Sequence, residues 1–346
     1  MDVVIGWDIG GAHLKAARVE GSRVVATRQA ATPLWLGLQS LEAAFDRLNV
    51  ELGPADRHAI TMTGELCDAF PSRREGVAGL AALAERRLAP SPVSLYAGRA
   101  GFVGPEETAE CALDIASANW LASASVVARK LDNALLVDLG STTTDIVPVV
   151  AGRVAAVGYS DSERLKSGEL VYVGLTRSFI MAMAARAPFR GVWTPLMNEY
   201  FANSADVFRV LRALPADVDL MAAADGGEKT VEASRMRLAR MIGLEADEAP
   251  AAQWEALAAW FAEALTRDIT DAAFLRLSRC DLPKDAPVVA AGVGGDLVAE
   301  TARRLRRGCI DFCAAIEAPR EAGRCAPAVA VALLAAAEQG GEGSPL

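Results

Sequence analysis

Leu135-Leu136-Val137-Asp138-Leu139-Gly140-Ser141-Thr142-Thr143-Thr144-Asp145 decides the fold: an apolar β-type run ends in an acid, turns on a glycine and four hydroxyls, and resumes on a second acid. The same order opens the chain as Val3-Val4-Ile5-Gly6-Trp7-Asp8-Ile9-Gly10-Gly11-Ala12-His13-Leu14-Lys15. A third version, Val288-Val289-Ala290-Ala291-Gly292-Val293-Gly294-Gly295-Asp296, stands near the end. Each turn can aim backbone N–H groups at an anion, and two such turns facing each other across a cleft make a diphosphate clamp. In the first turn Gly10 and Gly11 permit positive φ and close approach, Ala12 adds a backbone N–H, and Lys15 reaches back toward a bound phosphate. In the second, Gly140, Ser141, Thr142 and Thr143 offer N–H and hydroxyl groups, while Asp8, Asp138 and Asp145 are the candidates to hold a hydrated Mg²⁺ through water. In the third, Gly292, Gly294 and Gly295 let flat ligand atoms lie against the backbone.

Outward from these turns the chain reads as two copies of one plan. Residues 1–30 and 135–158 both read as β-meanders, and restarting the same order after about 130 residues indicates an internal duplication. A helix is expected over 37–52, with Leu38, Leu41, Ala44, Phe45 and Leu48 at helical spacing. A short strand at 59–63 and a helix over 74–88 follow, and this alternation implies an α/β sheet. A helical stretch is expected over 205–244 and a long helix over 251–279, with Trp254, Leu257, Ala258, Phe261, Leu265, Ile269 and Phe274 along one stripe. The closing helix is apolar all round, so it must be buried, packing back on the first lobe.

Composition narrows the partners. With 346 residues, 52% of them apolar, the chain is long enough for two lobes with their own cores. A net charge of −9 without a basic run argues against nucleic acid. Arg303-Arg304-Leu305-Arg306-Arg307 reads as a solvated helix face. No apolar stretch reaches the ~20 residues of a membrane span. Six dispersed cysteines without Cys-x-x-Cys disfavour a disulfide framework or structural zinc, and a cytoplasmic compartment is expected. Only His13 and His58 are present, which disfavours zinc-hydrolase and Ser-His-Asp chemistry.

In combination the motifs resemble the superfamily shared by actin, Hsp70 chaperones and sugar kinases, over essentially the whole chain. Within it the sequence resembles the hydantoinase/oxoprolinase-related branch, and more narrowly that branch's members in methanofuran synthesis. The narrower likeness is carried by Thr61-Met62-Thr63-Gly64-Glu65-Leu66, Tyr96-Ala97-Gly98-Arg99, Ser117-Ala118-Asn119-Trp120-Leu121-Ala122 and Ser167-Gly168-Glu169-Leu170-Val171-Tyr172-Val173-Gly174-Leu175-Thr176-Arg177. The implied fold is α/β, an actin-like ATPase (ribonuclease H-like) duplicated two-lobed fold with a central cleft. Residues 1–130 would form the first lobe, with helix 326–340 packing back on it, and 131–325 the second.

The resemblance implies a transferase that joins a phenolic amine to an aminomethylfuran-methyl diphosphate, releasing pyrophosphate and forming an aryl ether. Mg²⁺ and oriented N–H donors would stabilise the departing diphosphate. Arg99 and Arg177 could pair with it bidentately. A phenol with an ordinary pKa near ~10 gains from a base, for which Glu65 and Glu169 are the candidates. Tyr172 enters the central region as a pocket residue. Two alternatives stay open: an ATP-dependent kinase or hydantoinase-type amidohydrolase on the same scaffold, and a non-catalytic actin-like module that assembles. Gly11-Ala12 lacks the hydroxyl that sugar kinases place after the first Asp-x-Gly, so ATP is not expected to be required, although the second turn leaves its binding open. An oligomer is left open as well.

Overall fold

The structure, a computed structural model, describes residues 2–339. Among them are fourteen strands and twelve α-helices; twelve strands form two six-stranded sheets with helices on both faces, and the other two form a separate two-stranded sheet. The first half holds β1 (Val3–Ile9), β2 (His13–Glu20), β3 (Arg23–Ala31), β4 (Arg57–Met62), β5 (Val93–Tyr96) and β6 (Phe102–Val103), with helices α1 (Gln39–Leu52), α2 (Arg73–Leu88), α3 (Thr108–Ile115) and α4 (Asn119–Ala128). The second holds β7 (Ala134–Leu139), β8 (Thr144–Val150), β9 (Arg153–Val154), β10 (Leu170–Val171), β11 (Arg186–Phe189), β12 (Val192–Pro195), β13 (Val288–Gly292) and β14 (Cys309–Asp311). Its helices are α5 (Asp161–Ser167), α6 (Ile180–Met183), α7 (Ser204–Val210), α8 (Val231–Arg240), α9 (Ala251–Leu277), α10 (Gly295–Arg304), α11 (Phe312–Ile316) and α12 (Ala326–Gln339). Residue 340 of the expected closing helix lies outside the described residues.

The sheets run β3-β2-β1-β4-β5-β6 and β10-β8-β7-β13-β14, with β9 on β8. Strand periodicity explains how they share a core. In β1, Val4 faces the interior between the sheets, while Ile5, Trp7 and Ile9 face α1 and α2. In β7, Ala134 and Leu136 face that same interior, while Leu135, Val137 and Leu139 face α9 and α10. Between the sheets lie α4 and α12, whose small side chains let backbone approach backbone. A Cβ on Gly6 would stand 2.0 Å from the Ala328 carbonyl. The apolar character of α12 follows, since it is enclosed between the first sheet and α4, which in turn packs on the second.

Two expected helices differ. The stretch 205–244 is α7 and α8 separated by twenty non-helical positions, because Pro215 and Gly226-Gly227 interrupt it. In α9 the stripe from Trp254 to Ile269 is buried, but Phe274 is 51% exposed. Together α6, β11, α7, α8 and the first half of α9 form a separate apolar cluster beside the second sheet.

Candidate active site

The parity that builds the core also builds the site. Asp8 shares the face of β1 that holds Val4, and Asp138 that of β7 holding Leu136, so both carboxyls end their strands pointing into the space between the sheets. Opposite them in register stand Lys15 and Asp145. A cleft of about 660 Å³ opens there. Gly10, Gly11, Ala12 and Lys15 line it from one side, and Gly140, Ser141, Thr142 and Thr143 from the other. Neither Gly10 nor Gly11 adopts positive φ. Gly10 serves by its missing Cβ, which would stand 3.0 Å from the His13 carbonyl that its own N–H bonds.

The floor is acidic around one lysine. Burial pushes Asp8 up to about 6 against the pull of Lys15, with Asp145 adding to the rise. Asp138 is pushed up to about 7, again by burial, opposed by Lys15 and reinforced by Asp145 and Asp8. Asp145 is also raised by burial, although Arg164 offsets it with an ion pair at 2.9 Å. For Lys15 burial lowers the pKa, yet Asp8, Cys325, Asp138 and Asp145 together leave it raised. Among the described residues no three His, Cys, Asp or Glu side chains converge to ligate one ion directly. The buried Asp8 and Asp138 and the partly buried Asp145, with Asp8 Oδ1 lacking a hydrogen-bond partner, suit a hydrated divalent cation held through its waters.

Arg177 and Trp35 bridge the lobes at the mouth. The guanidinium lies 4.7 Å from the Trp35 ring centroid and its Nη1 donates to Thr142 Oγ1 at 3.1 Å. Tyr172, 67% exposed, lines the same opening. Deeper in the seam Arg73 pairs with Asp161 at 2.6 Å, and Ser117 Oγ lies 2.9 Å from Glu65 Oε1 and 3.1 Å from Asp161 Oδ2. Trp120 carries the buried Arg164 on its face at 4.1 Å.

Several expected site residues stand elsewhere. Glu169 is 0% exposed and does not reach the cleft; Val157 N–H, Gly158 N–H and Ser167 Oγ each donate to it at 2.7 Å, and Arg276 lies 3.6 Å away. Both oxygens are engaged in holding the loop before α5, so the expected base is a fold residue. Glu65 is likewise 0% exposed, behind Ser117 rather than at the cleft surface, and burial pushes it up to about 7 against its backbone and Ser117 hydrogen bonds. Arg99 is exposed and lies over Tyr159 at 5.2 Å, away from the cleft. Gly292, Gly294 and Gly295 do not line it either. At Gly292, φ is +83° and a Cβ would meet Leu139 O at 2.3 Å and Asp138 Oδ1 at 2.5 Å. Gly294 abuts the Leu139 side chain in the same way, so the two seat the loop on β7 and leave room for the Asp138 carboxyl.

His13, Trp35, Ser117, Asp161 and Arg164 also line the cleft and were not expected there. The signal for His13 was present in part. It is the first residue of β2, two before Lys15, and strand alternation puts both on one face.

The architecture is that of an actin-like ATPase fold. The chain is similar to a nucleotide-free acetone carboxylase, with a TM-score of 0.53 and 13% identity over 88% of this chain and 67% of that one. It is similar also to component A of the Acidaminococcus fermentans (R)-2-hydroxyglutaryl-CoA dehydratase, with a TM-score of 0.51 and 11% identity over 98% and 100% of the two chains. Residues 56–338 match the hydantoinase/oxoprolinase family model. Over 241 residues, 69% of this chain and 71% of its relative, the sequence is 34% identical to the (4-{4-[2-(gamma-L-glutamylamino)ethyl]phenoxymethyl}furan-2-yl)methanamine synthase of Methanocaldococcus jannaschii. A synthase of the same name from Methanococcus vannielii is 43% identical over 89 residues, 25% of this chain and 40% of that one. The chain belongs to the hydantoinase/oxoprolinase family. Among the described residues no helix is long and apolar enough to cross a membrane.

Proposed function

We propose that this enzyme is a transferase of methanofuran-type cofactor synthesis. It condenses aminomethylfuran-methyl diphosphate with the phenol of a glutamylated tyramine or tyrosine, forming an aryl ether and releasing pyrophosphate. The observation that carries the reading is the pair of turns, Gly10-Gly11-Ala12 and Gly140-Ser141-Thr142-Thr143, lining one cleft beside Lys15 and Arg177, in a chain 34% identical to a synthase of such an ether.

The chemistry asks for little beyond positioning and charge. As the C–O bond to the diphosphate lengthens, negative charge grows on the leaving oxygens, and Lys15, Arg177 and the turn N–H groups are placed to receive it. The furfuryl carbon left behind tolerates cationic character. Mg²⁺, held through water by Asp8, Asp138 and Asp145, would offset part of the diphosphate charge. The two hydroxyls of Ser141 and Thr142, with Thr142 fixed by Arg177, add donors from the second lobe.

The test incubates the protein with Mg²⁺, the furan diphosphate and a glutamylated tyramine, with and without ATP, following ether mass and pyrophosphate. Ether formation without ATP is expected. No ether, together with ATP hydrolysis stimulated by a small amide or sugar, overturns the reading.

A further inference from the structure

We propose that His13 is the base that takes the phenolic proton, a role that rests on the aryl-ether reading above. His13 opens β2 on the face it shares with Lys15, beside the Gly10-Gly11-Ala12 turn. Its side chain lines the cleft although only 7% exposed, and its Nε2 is buried without a hydrogen-bond partner. Such a nitrogen is costly to leave unsatisfied, and a substrate hydroxyl is the kind of partner it lacks.

The other carboxyls are saturated, screened from the cleft or gathered on its floor, where Asp8 Oδ1 is the one assigned to the hydrated cation. Glu169 is saturated by three donors, and Glu65 sits behind Ser117. Asp145 is paired with Arg164, while Asp8 and Asp138 share the floor with Lys15. Around His13 the charged groups are Lys15 from its own strand and Arg177 from the opposite lobe, with the three floor aspartates beyond them.

Burial, then Lys15 and Arg177, push the imidazole down to about 3, so at neutral pH it is in its acceptor form. Those two cations are the ones that face a bound diphosphate. When the anion arrives it offsets their charge, and the imidazole regains basicity toward its ordinary value. The substrate that carries the leaving group thereby strengthens the base. In the step itself the carbon–oxygen bond to the diphosphate breaks with its electron pair leaving on pyrophosphate, and the phenol oxygen forms the new bond to that carbon. The phenolic proton passes to His13 Nε2 and departs with the released pyrophosphate.

The experiment compares wild type, His13→Gln and His13→Asn on glutamyltyramine and on its ring-tetrafluorinated analogue, whose phenol is already ionised at the assay pH. With the ordinary phenol both variants should lose about 10²–10⁴-fold in kcat, the usual worth of a general base. With the ionised phenol the loss should shrink to below about tenfold on that scale, and the Kd for inorganic pyrophosphate should hold within about threefold of wild type. The ratio of the two rates is measured in one preparation, so a partly folded variant leaves it intact. Equal loss on both phenols, or no loss on either, overturns the base role. A pyrophosphate Kd that rises in step with the lost rate makes His13 a diphosphate ligand and overturns it too. Wild type that forms no ether at all overturns the aryl-ether reading and this role with it, an outcome the variants cannot produce.

Discussion

In the first hairpin Asp8 pairs with Lys15 and Ile9 with Leu14; in the second Asp138 pairs with Asp145 and Leu139 with Thr144, an offset of 130 positions (8 to 138, 15 to 145). Both turns close on the same bond, Gly10 N–H to the His13 carbonyl and Gly140 N–H to the Thr143 carbonyl, each at 2.9 Å. The backbones are one design and the side chains are not. A lysine in one lobe is an aspartate in the other, Gly11-Ala12 becomes Ser141-Thr142, and His13 becomes Thr143. Duplication preserved the register that aims these positions at the cleft, and since they carry little packing, their chemistry diverged. The first lobe supplies cation and bare backbone; the second supplies acid and hydroxyl.

The comparison breaks most visibly at Lys15. Lys15→Met leaves the floor aspartates without their central cation, and kcat/KM should fall by about 10²–10³ or more, the scale of losing one preorganised charge contact. Lys15→Asp, which copies the second hairpin, should do worse. The exchange variant Lys15→Asp/Asp145→Lys should stay inactive, because Arg164 stands 2.9 Å from Asp145 and would face a second cation. Steady-state kinetics decide it. Recovery to within about tenfold of wild type, about 1.4 kcal/mol, would show the two hairpins to be interchangeable.

The acidic side of the comparison is sharpened by pH. Asp8 and Asp138 have folded pKa values raised to about 6 and about 7, so between roughly pH 4 and 7 these two groups hold more protons in the folded protein than in the unfolded chain. Their contribution to stability therefore falls as pH rises through that window, while the buried His13 and His58, lowered to about 3 and about 4, contribute in the opposite sense up to about pH 6.5. At about 1.4 kcal/mol per pKa unit the loss should reach a few kcal/mol without Mg²⁺. The difference in urea unfolding between wild type and Asp8→Asn/Asp138→Asn from pH 5 to 8 measures it, and added Mg²⁺ should flatten that difference by binding the ionised carboxylates. The same profile in wild type and variant without metal would mean that the two acids do not set it.

The turns were legible because strand, acid and glycine are local grammar, written within a dozen residues. What distant contacts decide was not legible. Glu169 reads as a loop carboxylate between glycines, yet its fate is set by Val157, Gly158 and Arg276, the last more than a hundred residues away in sequence. Arg99 follows a strand end like a phosphate ligand, but the Tyr159 ring holds it outside. Gly292 and Gly294 look like a ligand cradle, and the atoms lying against them are those of Asp138 and Leu139. His13 and Trp35 become cleft residues only when Arg177 arrives from the other lobe, a meeting no local pattern encodes.

The smallest effects come from exchanging the turns themselves. Ser141→Gly/Thr142→Ala gives the second turn the first one's sequence and removes two hydroxyls, one of them the acceptor for Arg177. Each lost hydrogen bond is worth about 1 kcal/mol, so with two lost the KM for the diphosphate substrate should rise about thirtyfold. The reverse change, Gly11→Ser, meets no protein atom within 4 Å of the new Cβ, and Gly11 does not hold positive φ. The melting temperature should therefore not move. If the first turn binds the diphosphate through bare backbone, the new side chain stands where the phosphate approaches, and the same KM should rise by only about two- to fivefold, under 1 kcal/mol, with kcat unchanged. A KM that falls instead would mean that the first turn was short of a hydroxyl all along, and that its difference from the second is a loss rather than a division of labour.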